Sequence, residues 1–203
     1  MNDGIETPKS ILEYWFGSTT DDTVVAAGRS DLWWSKNLAV DDAIRQRFES
    51  LIRQAASGEL NAWVSEPKGP LALILLTDQF PRNIYRDSAA AFAFDAKALA
   101  WCLEGITGGV DLTLRPIERV FFYLPLEHAE SLRRQEQSVN LFQQLCDIVS
   151  ADQKSAFESF LHFAVRHRDI IARFGRFPHR NKILGRRSTP EELAFLAEPG
   201  SSF

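Results

Sequence analysis

Apolar residues in this chain recur at intervals of three and four, and no segment alternates apolar with polar in the two-residue rhythm of a half-buried strand. That periodicity restricts the chain to helices. In VDDAIRQRFESLIRQAASGEL, Ile44, Phe48, Leu51, Ile52 and Ala55 share one face, and Gly58 stands past the end as a stop. TPKSILEYWFG reads as a short helix with Thr7 as cap, Pro8 in the first position and Gly17 as terminator. Longer helices are expected over DSAAAFAFDAKALAWCLEGIT, over RPIERVFFYLPLEHAE with Pro125 inside it, over SLRRQEQSVNLFQQLCDIVS, and over ADQKSAFESFLHFAVRHRDIIARFG. STPEELAFL reads as a last short helix capped by Ser188 or Thr189. The small, polar stretch TTDDTVVAAGRSD reads as a loop. The expectation is one all-α domain over residues 1–203, of about seven or eight antiparallel helices joined by short turns.

At 203 residues and 45% hydrophobic, the chain has material for one well-buried core. Its net charge of −4 argues against bulk affinity for nucleic acid, but the distribution is uneven. From Arg166 to Arg187 the chain carries +7, which leaves −11 for the remainder. Such a contrast makes a local field that attracts anions. Cys102 and Cys146 have no metal-binding spacing and read as buried free thiols. The first thirty residues lack a basic start followed by an apolar stretch, and LALILL, at six residues, falls far short of the roughly twenty that cross a bilayer. A cytoplasmic protein is expected, with no membrane partner.

The chemistry lies in polar residues placed on apolar faces. On the helix from Phe157, Arg168 projects into the apolar sector between Leu161 and Ala164, and His167 falls between Phe174 and Phe160. Asp78 lies over Leu71, Ile74 and Leu75, and Asp95 among Ala91, Ala98, Leu99 and Cys102. His128 sits on the Ile117–Phe121–Leu124 stripe, with Glu127 beside Val120. Pro125 cannot donate to the Phe121 carbonyl, so an acceptor is freed just before that pair. Buried charges need partners, and Asp78, Asp95 and Glu127 face Arg82, Arg168, His128 and His167 in comparable numbers. One reading is an ion-pair network that locks helices together with nothing bound. The other is that part of the network lines a pocket.

Two segments repeat a local pattern. TDQFPRNIYRDS follows LALILL, and RFGRFPHRNKILGR follows the helix from Phe157. In the first, Pro81 is expected to end the apolar helix; the second follows a helix expected to end at Gly175. The residues after Pro81 then leave on a stiff segment that can present guanidinium and amide donors to a carboxylate or phosphate. Arg82, Asn83, Arg168, Arg176, His179, Arg180 and Asn181 are therefore the candidate ligand-binding residues. Asp78, Asp95, Glu127, His128 and His167 are the candidate acids and bases.

LALILLTDQFPRNIYRDSAAAFAFDAKAL, ERVFFYLPLEHAESLRRQEQSV, FAVRHRDIIARFGRFPHRNKILGR and the ending FLAEPGSSF together resemble the uncharacterised bacterial family called domain of unknown function 924. The resemblance runs from ILEYWFG to Phe203. It implies a tetratricopeptide-like stack of antiparallel helix pairs, and it implies no activity, cofactor or catalytic residue. The expected function is binding of, or action on, a small anionic molecule in an Arg-, His- and Asp-lined pocket. The alternatives are a protein-interaction module, with Trp33 and Trp34 as its exposed aromatics, and, more remotely, RNA binding through Arg166–Arg187. No metal site is expected, because His162 and His167 lie on different sides of their helix and EHAE lacks Glu-x-x-His spacing.

Overall fold

A computed structural model describes residues 6–202, so Phe203 at the end of the FLAEPGSSF stretch lies outside the described residues. The described residues contain no strand. They form α1 (Pro8–Phe16), α2 (Asp22–Trp34), α3 (Leu38–Ser57), α4 (Gly69–Ile74), α5 (Phe80–Ile84), α6 (Asp95–Thr107), α7 (Pro116–Glu127), α8 (Leu132–Ile148), α9 (Lys154–Phe174) and α10 (Pro190–Leu196). None of these helices is long and apolar enough to cross a membrane.

The terminators act as the residue types dictate. Thr7 and Ser10 form a capping box on α1. Gly58 closes α3 with φ 91° and Gly175 closes α9 with φ 70°, both in the left-handed region that glycine enters without a Cβ clash. Thr189, rather than Ser188, caps α10.

Three local expectations need correction. The segment read as a loop is helix α2, started by Asp21, whose carboxylate accepts from the Thr23 and Val24 amides. Its apolar signal is faint because few positions pack inward: Val25 and Trp33 are its buried apolar residues, and buried Asp22 takes the Arg115 guanidinium and the Ile117 amide. The long alanine-rich helix is two pieces, a single 3-10 turn at Ala89–Phe92 and then α6, so Asp95 sits in a first helical turn and not on an interior face. Pro81 does not end its helix. The rod runs on from α4 through a π-helical turn at Leu75–Gln79 into α5, with the Phe80 amide donating to the Leu75 carbonyl. Pro81 has no N–H to offer, and the backbone absorbs this by widening instead of stopping. Thr77 satisfies the Leu73 carbonyl with its hydroxyl at 2.7 Å.

Helix α7 is the centre of the molecule, since every residue from Ile117 to Glu127 is buried. Trp15, Phe16 and Trp33 pack on its Phe121, with Trp33 closest at 4.6 Å between ring centroids. Phe80 stacks on Phe48 at 4.9 Å and carries the same core to α3. Trp33 is buried and donates to the Trp15 carbonyl, whereas Trp34 is half exposed and lies flat on Phe121. Both cysteines are buried free thiols. A smaller apolar cluster of Ile170, Ile171 and Phe177, joined by Phe174 and Phe195, lies under α10. Helices α8 and α9 lie along each other, while α4 packs on α1, α6 and α7, so the central rod is surrounded.

Candidate functional site

The π turn places Asp78, with no solvent exposure, against the end of α7. There its Oδ1 lies 2.8 Å from His128 Nδ1. One turn along the same rod, Arg82 donates to the Asp78 carbonyl at 2.6 Å and to both Asp95 oxygens at 2.9 and 3.0 Å. Asp95 reaches it from the start of α6, where a carboxylate also suits the helix dipole. The second Phe-Pro turn brings Arg180 to the same place. Its guanidinium is held between Phe92 and Phe177, at 4.6 and 4.5 Å from their centroids, and its Nη1 donates to the His128 carbonyl at 3.1 Å. A long 3.5 Å contact joins that nitrogen to Asp95.

A second carboxylate–imidazole pair stands behind the first. His167 Nδ1, on α9, donates to the Phe163 carbonyl at 2.8 Å and lies 3.1 Å from Glu127 Oε1. The two imidazole rings are 6.3 Å apart between centroids. Five of the residues expected to carry acid–base chemistry thus come together from four parts of the chain, with Arg82 and Arg180 alongside.

Burial and neighbouring charge divide the protonation states. Burial opposes the charge on Asp78, but Arg82 and His128 outweigh it and hold the carboxyl far below its ordinary range. Glu127 lacks such a cation; burial, and then the negative Asp78, push it up to about 8. Burial lowers His128, and Arg82 lowers it further, against the pull of Asp78. Burial takes His167 down to about 3. Burial and then Arg82 lower Arg180 to about 10, so it stays a cation at neutral pH. With Asp78 ionised, the proton between it and His128 belongs to Nδ1, and Nε2 of the neutral ring carries a lone pair.

This cluster is not sealed. An open cleft of about 490 Å³ reaches it, with Asp95, His128 and Arg180 in its wall and Asp78, Glu127 and His167 behind. Apolar lining comes from Phe92, Leu99, Pro125 and Leu184.

Other expected ligand-binding residues lie elsewhere. Arg168 does not point into the core; its side chain is 36% exposed and pairs with Asp169 at 2.6 Å. The flexible stem leaves the apolar sector that its Cα faces, which avoids the cost of an unpaired buried cation. Asn83 is buried and donates to Asp41 at 3.1 Å, bracing α5 on α3. Arg176 and Asn181 both donate to Glu192 and hold α10. His179 packs on Phe177 beside Arg180, and burial lowers it to about 4. Much of the basic window is spent internally as well: Arg166 donates to the Gly200 carbonyl, Arg173 pairs with Glu191 and Arg186 with Glu130.

Two residues outside the expected set, Gln135 and Glu130, also shape the site. Gln135 on α8 is fully buried, and its Nε2 donates to the carbonyls of Glu127 at 2.6 Å and Ala129 at 2.8 Å. It therefore fixes the turn that bears His128. Glu130 accepts from both Arg186 Nη groups and from the Phe177 amide, tying the second Phe-Pro turn to the same spot. A polar residue on the inward face of α8 was the signal available for Gln135; nothing marked Glu130. Among the described residues no group of three or more His, Cys, Asp or Glu side chains is arranged to hold a metal ion.

A sequence model for a family described as bacterial protein of unknown function (DUF924) matches residues 11–200. A solved structure described as a protein of unknown function, ATU0120 from Agrobacterium tumefaciens, is 39% identical. It superposes with a TM-score of 0.73 over 87% of this chain and 99% of that one. No curated protein matches the chain.

Proposed function

The chain belongs to the bacterial DUF924 family, and from that premise we propose that it is a cytoplasmic protein that binds a small carboxylate- or phosphate-bearing molecule in the cleft beside His128 and Arg180. The carrying observation is Arg180. It is 6% exposed, lines the cleft, and keeps a buried Nε without a hydrogen-bond partner. An immobilised guanidinium loses little entropy on capturing an anion, and its long contact to Asp95 is easily exchanged for a shorter one. The buried free thiols accord with a reducing compartment.

The cleft also contains a base. Asp78 holds the His128 ring in one tautomer, which leaves Nε2 to accept a proton from a bound molecule. Chemistry on the ligand would use that nitrogen, with Arg180 fixing the ligand's charge nearby.

The test is a thermal-shift screen of the intact protein against carboxylated and phosphorylated metabolites, repeated with Arg180→Gln and His128→Gln. Ligands that raise the melting temperature of the parent and not of Arg180→Gln support the reading. A screen in which no anion shifts the parent would refute it.

A further inference from the structure

Resting on that reading of the cleft, we propose that its ligand is a monoanionic carboxylic acid with an apolar body, in preference to a phosphate or another dianion.

The first argument is the charge around the cleft. Three cations stand at or behind it, Arg82, Arg180 and Arg186, and three carboxylates face them, Asp78, Asp95 and Glu130. Arg82 closes its fork on both oxygens of Asp95, and Arg186 closes its fork on both oxygens of Glu130 at 2.6 and 2.9 Å. Neither fork has a bidentate face to spare. Arg180 differs: its contact to Asp95 is 3.5 Å long, and beside its partnerless Nε only Nη1 is committed. Arg186, whose Nε is also partnerless, has both Nη groups held by Glu130 and the Phe177 carbonyl. One guanidinium therefore has capacity for one carboxylate, whose two oxygens fit its planar edge. A dianion would set a second negative charge beside Asp95 and Glu130, which both line the cleft, with no cation left to meet it.

The second argument is the wall. Apart from the single Ser131 hydroxyl, the rest of the cleft is lined by apolar side chains, chiefly Phe92, Leu99, Pro125 and Leu184 with Ala93 and Ala96. These side chains offer no hydrogen bonds to the hydroxyls of a sugar phosphate, and they favour aliphatic or aromatic surface. A volume of about 490 Å³ lies within the range of small-molecule sites, roughly 300–1,000 Å³.

Titration calorimetry on the full chain at pH 7 tests this with four probes: hexanoate, phenylacetate, acetate and inorganic phosphate. Hexanoate and phenylacetate should bind saturably, acetate at least tenfold more weakly, and phosphate without saturation. Two variants locate the site. Arg180→Gln should weaken hexanoate at least tenfold. Ala96→Asp, at an exposed position in the wall, should do the same by adding a charge there while leaving the melting temperature unchanged. Phosphate binding as tight as hexanoate, or acetate equal to hexanoate, would overturn the ligand class while leaving the cleft as an anion site. Hexanoate affinity untouched by Ala96→Asp would place the acid elsewhere and overturn the proposal. No saturable binding by any probe would remove both this inference and the reading beneath it.

Discussion

His128 Nδ1 lies 2.8 Å from Oδ1 of Asp78, a carboxylate with no solvent exposure, and the two residues are fifty positions apart in the chain. One is carried by a helix widened around Pro81, the other by the end of a helix interrupted by Pro125. The contact fixes the imidazole tautomer, and it also stores stability. Asp78 has a folded-state pKa held below its unfolded value, so its contribution is present above the unfolded pKa near 3.8 and is lost as pH falls towards the folded value. Asp78→Asn keeps the shape and removes the charge, which leaves Arg82 with Asp95 as its remaining carboxylate partner. Breaking a buried charged pair costs about 3–5 kcal/mol. Chemical denaturation at pH 7 should show a loss of that order, shrinking below pH 3. Equal stability of variant and parent at neutral pH would contradict the assignment.

Glu127 predicts an opposite limb. Its folded pKa, pushed up to about 8, stands above the unfolded value of 4.5, so the folded protein binds the extra proton between those pH values. Stability from this group is complete below the unfolded pKa and is lost as pH rises through the folded one. The slope is about 1.4 kcal/mol per pH unit for one proton. Glu127→Gln abolishes this slope. The variant should gain on the parent steadily from pH 5 to pH 8, and denaturant midpoints across that window measure it. Parallel pH profiles for the two proteins would show that Glu127 is ionised in the fold.

The helical character of the chain was legible because a 3.6-residue period needs only apolar residues at the right intervals, as at Ile44, Phe48 and Ile52. The convergence of Asp78, Asp95, Glu127, His128 and His167 was legible for a related reason. A charged residue on an apolar stripe has few ways to be stable except beside its opposite. What periodicity could not foresee lay where the backbone departs from it. Pro81 widened its helix, and Asp95 came to a helix start because the alanine run broke at Phe94. Arg168 shows a limit of a helical wheel, which places a Cα but not the end of a long side chain. Helix α2 was not legible because few of its positions pack inward and one of those, Asp22, is charged.

The C-terminal helix hangs on Glu192. This residue is 2% exposed and accepts from Arg176, Asn181 and the Thr189 amide; Arg176 above all keeps it ionised, holding it down to about 2. Only the small cluster around Ile171 and Phe177 lies beneath α10. Glu192→Ala should therefore release residues 188–201 to fast hydrogen exchange, by about tenfold or more, while α3 and α7 keep the protection of the main core. Uniform loss of protection across the molecule would mean that α10 belongs to the main cooperative unit.

Gln135 offers the sharpest separation of position from chemistry. Its Nε2 serves the carbonyl of Glu127, which the end of α7 leaves without a helical donor, and also reaches the Ala129 carbonyl in the turn beyond. Gln135→Met keeps the volume and removes the donor, stranding the buried Glu127 carbonyl at about 1–3 kcal/mol, while the Ala129 carbonyl keeps the Ser131 amide at 2.9 Å. The turn bearing His128 should then loosen even though no atom of the Asp78–His128 pair has been changed. Imidazole resonances followed by NMR report this directly: in the parent the His128 Nδ1 proton should be slow to exchange and shifted downfield by its carboxylate partner. In Gln135→Met that signal should broaden or vanish, with a melting temperature lowered but the cooperative transition kept. If the signal is unchanged while stability falls, Gln135 serves the helix end alone, and the His128 geometry is set by Asp78 and the packing of α7.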